Sequence, residues 1–220
     1  MKPRPASARI LKPVTPSDAE LVQQALAGSQ TAYHTLVGRY ATPAVNLAAR
    51  MVQDRALAED LAQEAFARAF ERLSTYDRQR RFVSWFFRIV HNVTIDYLRR
   101  KRPNTVSLDS LEEAGHGGMA VPAGASDASG SPEARAEQAA MTRAVDAALA
   151  RIRPEYREVV VLRYREELSV QEIAYAMGVP PGTVKTYLYR ARRELASILT
   201  AQGWAPAPPD EAETPREKTP

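Results

Sequence analysis

The sequence contains no cysteine and only three histidines among its 220 residues. The lack of cysteine excludes disulfide bonds, thiolate catalysis and cysteine-ligated zinc. His34, His91 and His116 are scattered along the chain, so no histidine pair has metal-ligand spacing, and we expect no metal or other cofactor. Catalytic motifs are missing too, since there is no GxxxxGK[ST] phosphate loop, no HExxH and no GxSxG elbow. The sequence therefore does not predict an enzyme.

Long apolar runs are also missing. The longest unbroken aliphatic run, Val159 to Leu162, is far shorter than the roughly 20 residues that span a bilayer. The N-terminus is basic, but four prolines within the first 16 residues stand where an export signal needs an apolar stretch. We therefore expect no membrane insertion, a cytoplasmic location and a flexible N-terminal arm over residues 1–17.

Positive charge is concentrated in one segment of the chain. Lys and Arg number 30 against 26 Asp and Glu, yet residues 78–102 hold eight basic residues and a single acid, Asp96. This segment is the candidate for contact with a polyanion. A run of positive charge is also typical of a solvated helix face, so that alternative stays open at this point.

Capping patterns and hydrophobic spacing predict helices throughout the chain. Ser17 with Glu20, and Ser169 with Glu172, have the spacing of capping boxes in front of apolar runs. Thr42-Pro43 predicts a restarted or kinked helix. Two apolar stripes recur at helical spacing and are predicted to be buried: Leu57, Leu61, Phe66, Phe70 and Leu73 in one helix, and Phe82, Phe86, Ile89 and Val93 in the next.

Composition changes abruptly at Pro103. Residues 103–135 hold five of the ten glycines, three prolines and five acids, which is too polar to bury a core. We therefore predict an all-α fold of two small helical domains, residues 18–102 and 136–200, joined by a flexible acidic linker over residues 103–135. The proline-rich residues 201–220 are predicted to form a disordered tail.

The most specific pattern is LSVQEIAYAMGVPPGTVKTYLYRARREL, which begins at Leu168 and fits a helix-turn-helix. Ala174 is small where the two helices cross, Gly178 occupies the turn, and Val184 lies where the second helix buries a branched residue. A second helix of this kind fits the major groove of DNA. A plain helical hairpin with a basic face is the alternative. The residues left for DNA are Thr183, Lys185, Thr186, Tyr189, Arg190, Arg192 and Arg193.

The order of these motifs resembles the extracytoplasmic-function class of bacterial RNA polymerase sigma factors. An acidic helix DLAQEAFARAF is followed by FVSWFFRIVHNVTIDYLRRKR, then by the acidic linker and the helix-turn-helix. The resemblance implies an initiation factor that binds core RNA polymerase and directs it to specific promoter DNA. Residues 18–102 would bind polymerase and open the minus-10 element, and residues 136–200 would read the minus-35 element. An inhibitory anti-sigma factor is implied as a further partner.

The resemblance also implies roles for individual residues in the first domain. The polymerase contacts would be Asp60, Gln63, Glu64 and Arg68, for which a solvated helix face is the alternative. The minus-10 contacts would lie in the loop from Tyr76 to Phe82 and on the helix that follows. They comprise Tyr76, Arg78, Arg80, Arg81, Trp85, Arg88, Asn92, Arg99 and Arg100. Aromatic side chains and cations together hold unstacked bases, although most of the aromatics of this segment also fit a core.

Two features bear on this interpretation. Tyr187 stands where an arginine is common in the family, which removes one planar fork for a guanine or a phosphate. A different class of protein, an autonomous helix-turn-helix DNA-binding regulator, also accounts for the C-terminal motif. Such a regulator is expected to carry a sensor domain with an apolar excess, whereas the N-terminal half carries an acidic helix followed by an aromatic and basic one.

Overall fold

The computed structural model describes residues 15–101 and 131–204. Within these residues the chain forms eight α-helices and no β-strand, which confirms the predicted all-α class. A short 3₁₀ turn, Leu73–Thr75, follows the third helix. The helices are α1 (Asp18–Leu26), α2 (Gln30–Val52), α3 (Arg55–Glu71), α4 (Phe82–Lys101), α5 (Pro132–Arg151), α6 (Pro154–Tyr164), α7 (Val170–Met177) and α8 (Pro181–Ala201).

Both predicted capping boxes are present. The Ser17 hydroxyl accepts a hydrogen bond from the backbone N–H of Glu20, and the Glu20 carboxylate accepts one from the N–H of Ser17 at 2.7 Å. Ser169 and Glu172 repeat this arrangement at the start of α7. Each box satisfies two backbone donors that a helix start otherwise leaves without partners, so the local sequence defines where α1 and α7 begin.

Helix α2 runs through Pro43 without a break, so the predicted restart at this position is wrong. A proline inside a helix removes one backbone hydrogen bond, which weakens the helix without necessarily ending it. Tertiary contacts hold both sides of Pro43 in place. The Tyr40 hydroxyl donates to the carboxylate of Asp18, while Ala44 and Leu47 are fully buried.

Alanines line much of the buried face of α3. Leu61 and Leu73 are buried as predicted, but Leu57, Phe66 and Phe70 are only half-buried. The fully or almost fully buried small residues are Ala58, Ala62, Ala65 and Ala69. The half-buried rings lie along the flanks, where Phe66 contacts Phe86 with ring centroids 4.6 Å apart.

The aromatic start of α4 forms the centre of the core. Phe82, Phe86 and Val93 are buried as their spacing predicted, and Ile89 is half-buried. The rings of Phe82 and Phe86 are nearly parallel, with centroids 6.0 Å apart. Burial of side chains this large contributes strongly to the stability of the fold, so these phenylalanines have a structural role.

The C-terminal helices contain the predicted helix-turn-helix. Gly178 ends α7 in the left-handed region with φ of 68°, where a residue with a Cβ atom is strained. Val184 in α8 is fully buried, as predicted. Helix α5 begins at Pro132, so residues 132–135, which were predicted to end the flexible linker, are helical. The arm over residues 1–14, linker residues 103–130 and tail residues 205–220 lie outside the described residues.

The N-terminal helices α1–α4 and the C-terminal helices α5–α8 pack against each other. Helix α7 lies on α4 and helix α6 lies on α2, so that one continuous apolar core extends from Leu21 to Leu188. A second, smaller cluster joins α5, the start of α6, and α8 around Tyr156. The packing brings the helix-turn-helix beside the basic face of α4.

Candidate nucleic-acid interface

The outer face of α8 carries most of the residues predicted to contact the minus-35 element. Val184, Leu188 and Ala191 hold the opposite face of the helix in the core. Tyr189 is 46% exposed, and the Arg193 guanidinium lies 5.8 Å from the centroid of its ring. Thr183 and Arg192 are half-buried, whereas Lys185, Thr186, Tyr189, Arg190 and Arg193 are exposed.

Tyr187 belongs to the packing of α8. Its ring lies 5.5 Å from that of Tyr156 in α6; Tyr156 is buried in the smaller core cluster, and the half-buried Tyr187 packs against that cluster. The Tyr156 hydroxyl in turn accepts a hydrogen bond from Nη1 of Arg190 at 3.3 Å. Tyr156 therefore orients a predicted DNA-binding arginine, a role that no local motif of the sequence indicated.

The loop before α4 is held in shape by its own side chains. The Tyr76 hydroxyl donates to the carbonyl of Arg80 at 2.5 Å, and the Asp77 carboxylate accepts from the backbone N–H of Gln79 at 2.9 Å. Arg80 also pairs with Asp77 at 3.4 Å. These bonds present three predicted minus-10 residues on an exposed loop: Arg78, Arg80 and Arg81.

Two of the predicted minus-10 aromatics are buried beneath this loop. Tyr76 and Trp85 are each 8% exposed, and their ring centroids lie 5.4 Å apart. Both rings also contact Phe82. In this structure neither ring is available for a base to stack on it, and both support the loop from below.

The polar residues predicted along α4 are exposed. Arg88, Asn92 and Arg99 follow one another at helical spacing on one side of the helix, with Arg100 beside them. Arg100 donates from Nε to the carbonyl of Asp96 at 3.2 Å. Together with the arginines of the loop, these side chains form a basic surface, which we call the α4 arginine surface.

Helix α7 covers one end of the α4 arginine surface. Arg80 and Arg88 both stack on Tyr175, with guanidinium carbons 4.4 Å and 4.6 Å from the ring centroid. Arg81 lies 3.5 Å from the carboxylate of Glu172. The negative face of an aromatic ring attracts a cation through the ring quadrupole, so the contacts of Arg80 and Arg88 with Tyr175 favour the packing of α7 on α4.

The predicted polymerase-binding residues lie on the outer face of α3. Asp60, Gln63 and Glu64 are exposed, and Arg68 is partly exposed. Arg68 pairs with Glu64 at 2.5 Å and lies 3.9 Å from Asp96 of α4. A groove of about 310 Å³ opens beside Gln63 between α2 and α3. The structure therefore brings these four side chains together on an accessible, mainly acidic surface.

Buried ion pairs join the N-terminal and C-terminal helices. Arg50 of α2 contacts Asp146 of α5 at 2.9 Å, and Arg165 reaches the same carboxylate at 3.4 Å. Arg157 of α6 donates to the carbonyl of Arg50 and, at 3.0 Å, to the carbonyl of Ile152. Burial, assisted by the neighbouring Arg50 charge, lowers the pKa of Arg157 to about 10, so Arg157 remains charged near neutral pH. Sequence spacing indicated none of these long-range pairs.

Two further observations concern other kinds of site. Across residues 15–101 and 131–204, no group of His, Asp and Glu side chains is placed to hold a metal ion. No helix in the described part of the chain is long and apolar enough to cross a membrane.

Comparisons with known proteins identify the family. Sigma-70 region 2 matches residues 36–103, and sigma-70 region 4 matches residues 142–195. The chain is 34% identical to the ECF RNA polymerase sigma factor SigW of Bacillus subtilis over 81% of its length and 94% of SigW. It is 33% identical to the ECF sigma factor BldN of Streptomyces coelicolor, over 86% of this chain and 69% of BldN.

Two solved structures share the fold. CnrH, solved in complex with the cytosolic domain of CnrY, aligns with a TM-score of 0.56 and 26% identity over 84% of this chain and 97% of CnrH. The sigma factor RpoE of Bartonella quintana, solved with the anti-sigma factor NepR, has a TM-score of 0.59 and 20% identity over 76% of this chain and 96% of RpoE. Because both sigma regions match in the expected order and SigW aligns over nearly its whole length, the chain belongs to the extracytoplasmic-function family of RNA polymerase sigma factors.

Proposed function

We propose that this protein is a transcription initiation factor that binds core RNA polymerase and directs it to specific promoters. The observation that carries the proposal is that one chain presents two separate basic surfaces, on α4 and on α8, each within a matched sigma region. An autonomous regulator is not favoured, because residues 36–103 of the N-terminal half match sigma-70 region 2. Members of this family are transcription factors, so any chemistry belongs to the polymerase.

Residues 136–200 are proposed to read the minus-35 element through α8. The early residues of such a helix reach base edges in the major groove, while flanking cations contact phosphates. Lys185 and Thr186 lie early on the exposed face, and Tyr189 adds an apolar contact surface. Arg190, Arg192 and Arg193 follow as phosphate contacts, with Arg190 oriented by Tyr156.

Residues 18–102 are proposed to melt the minus-10 element and hold its single strand. Arg78, Arg80 and Arg81 on the loop, with Arg88, Arg99 and Arg100 on α4, supply cations for the phosphates, and Asn92 supplies a polar partner for an unstacked base. Tyr76 and Trp85, which are buried here, would act by supporting the loop.

The outer face of α3 is proposed to bind core polymerase. Asp60, Gln63, Glu64 and Arg68 form an accessible, mainly acidic surface that suits a basic partner. Complementary charge of this kind speeds encounter and selects the correct register. We also propose a cytoplasmic location and an anti-sigma factor as inhibitory partner. The complex of CnrH with a domain of CnrY supports the idea that this fold binds a second protein.

The experiment that tests the function is transcription by purified bacterial core polymerase on fragments of the source genome. We expect transcription from discrete start sites that depend on this protein, and we expect Arg190→Ala to reduce that transcription. Ser197 is an exposed residue of the same helix, so Ser197→Ala serves as the control. If the protein alone binds duplex DNA in a salt-sensitive manner and polymerase gains no new start sites, the protein is an autonomous regulator and the proposed initiation function is wrong.

A further inference from the structure

The loop between the 3₁₀ turn and α4 carries one side-chain amide among its arginines. Its exposed residues after Asp77 are Arg78, Gln79, Arg80 and Arg81. The proposed function assigns the three arginines to phosphates of the melted minus-10 strand. Phosphate contacts position a protein on DNA but carry no sequence information, because every nucleotide has the same phosphate. The base sequence must therefore be read by another kind of side chain on this surface.

Gln79 and Asn92 are the two exposed side-chain amides of the loop and α4. Within the described part of the chain, neither amide makes a side-chain hydrogen bond to another residue. An amide carries both a donor and an acceptor, whereas a guanidinium only donates. Asn92 is already proposed as a polar partner of an unstacked base. Gln79 is therefore a second side chain that is free to contact a base edge.

The backbone of Gln79 is held in place by its neighbours. Its N–H donates to Oδ1 of Asp77 at 2.9 Å, and the N–H of Arg80 donates to the Asp77 carbonyl at 3.0 Å. On the other side, the Tyr76 hydroxyl donates to the Arg80 carbonyl. Ordering a loop on binding costs free energy, and a loop that is ordered beforehand avoids this cost.

The loop also rests on packed aromatic rings. Tyr76, Phe82 and Trp85 contact one another beneath it, with ring centroids 5.4 to 5.6 Å apart. A functional side chain on a packed and hydrogen-bonded support is held close to its productive geometry. Two simultaneous hydrogen bonds to one base require such a support, since both distances must be correct at the same time.

An amide matches adenine better than it matches the other bases. Adenine presents the N6 amine as a donor beside N7 as an acceptor, and glutamine supplies the complementary oxygen and NH₂ group. On the corresponding edge, guanine presents two acceptors, thymine presents one acceptor beside a methyl group, and cytosine presents only a donor. The bidentate pairing is thus complete with adenine alone.

We propose that Gln79 is a specificity-determining residue that selects adenine in the single-stranded minus-10 element. The inference rests on the proposed minus-10 role of the loop and adds a base reader to it. The amide of Gln79 contacts N6 and N7 of one unstacked adenine, while the neighbouring arginines hold phosphates of the same strand. Because the amide is neutral, it changes which base is preferred and leaves the salt dependence of binding unchanged.

The test compares single strands that differ in one base. Each strand is a fluorescein-labelled oligothymidine whose central base is thymine, adenine, cytosine or guanine. Fluorescence anisotropy measures its binding to the complex of the full-length protein with core polymerase, and core polymerase alone gives the background. We expect the wild type to bind the adenine strand about tenfold more tightly than the other strands, as a bidentate pair predicts.

Variants of Gln79 should change this preference in two different ways. Gln79→Ala removes both hydrogen bonds, so all four strands should bind as the thymine strand binds to the wild type. Gln79→Glu has no donor for N7 but still accepts from an amine, so the cytosine strand should become the preferred one through its N4 group. Gln23→Ala removes an exposed amide of α1 and is the matched control, which should keep the wild-type preference. Circular dichroism confirms that each variant retains its helix content.

A double variant, Arg78→Ala with Arg81→Ala, separates this inference from the function on which it rests. Both arginines are assigned to phosphates, so their loss should weaken binding of all four strands by a similar factor. If it does, but the wild type shows no preference for adenine, the assignment of Gln79 is wrong and the minus-10 role of the loop stands.

Two other outcomes also overturn the inference. If the adenine preference survives in Gln79→Ala and disappears in Asn92→Ala, the reader is Asn92 and the assignment of Gln79 is wrong. If the double arginine variant binds every strand as tightly as the wild type and no strand is preferred, the minus-10 role of the loop fails. The role of Gln79 then fails with it.

Discussion

His91 of α4 and Glu158 of α6 face each other at 2.7 Å across the interface between the N-terminal and C-terminal helices. The Glu158 side chain is 2% exposed and the His91 side chain 13% exposed, so water screens this pair little. Burial opposes a charge on His91. The carboxylate of Glu158 nevertheless raises the pKa of His91 above its ordinary value of about 6.5, although Arg99 and Arg88 act against it. The interface therefore contains a pair whose strength depends on pH.

The first prediction is that the fold loses stability as pH rises. A histidine whose pKa is raised in the folded state contributes all of its stabilisation below the unfolded value, and that contribution disappears as pH rises through the folded value. The midpoint of thermal unfolding should therefore be lower at about pH 8 than at about pH 6. Glu158→Gln keeps a hydrogen-bonding side chain but removes the charge, so it should flatten this dependence. An equal slope in both proteins would show that other groups cause it.

The second prediction concerns Asp146, whose carboxylate contacts the buried side chain of Arg50. Asp146→Asn leaves the Arg50 charge buried without its counterion, and the Nε atom of Arg50 already has no hydrogen-bond partner. We expect the free energy of unfolding in urea to fall by about 3 to 5 kcal/mol. The matched control is Glu59→Gln, which removes an exposed partner of Arg55 and should cost less than about 1 kcal/mol. Similar losses in the two variants would contradict the structure.

The third prediction separates two tyrosines of α8. Tyr187 packs on Tyr156, so Tyr187→Ala should lower the free energy of unfolding by about 2 kcal/mol. Tyr189 is largely exposed, so Tyr189→Ala should change stability by no more than about 0.5 kcal/mol. For promoter binding by the complex with core polymerase, Tyr189→Ala should have the larger effect of the two and weaken the free energy of binding by roughly 1 kcal/mol. Urea unfolding measures the effect on stability, and filter binding measures the effect on promoter affinity. If Tyr189→Ala retains full promoter affinity, Tyr189 does not contact the DNA.

The fourth prediction concerns the salt dependence of promoter binding. Each phosphate contact contributes about −0.9 to the slope of log K against log salt for duplex DNA. If Arg193 contacts one phosphate, Arg193→Ala should make the slope measured with the polymerase complex less negative by about 0.9. Ser197→Ala, one turn further along the exposed side of α8, should leave the slope unchanged. A loss of affinity at a constant slope would instead assign Arg193 a role that involves no phosphate.

Local sequence determined much of this protein by itself. The capping boxes at Ser17 and Ser169 and the glycine at Gly178 act over four or five residues, so their effects could be read without a tertiary structure. Hydrophobic spacing likewise predicted the burial of Phe82, Phe86 and Val93 in α4, since residues on one side of a helix recur at helical spacing, but it did not include the fully buried Phe87 and Val90. The order of the motifs predicted the family for the same reason, because each motif is a short continuous segment.

Tertiary structure decided the features that depend on partners distant in the chain. Pro43 lies inside a continuous helix because packing on both sides outweighs one missing hydrogen bond. Tyr187 packs against the core because Tyr156, 31 positions earlier, lies beside it. The pairing of His91 with Glu158 and the contact of Arg88 with Tyr175 join residues 67 and 87 positions apart. Helical periodicity relates only residues that are close in the sequence, so it does not predict contacts between residues this far apart. Only the folded chain therefore reveals that α7 covers part of the α4 arginine surface.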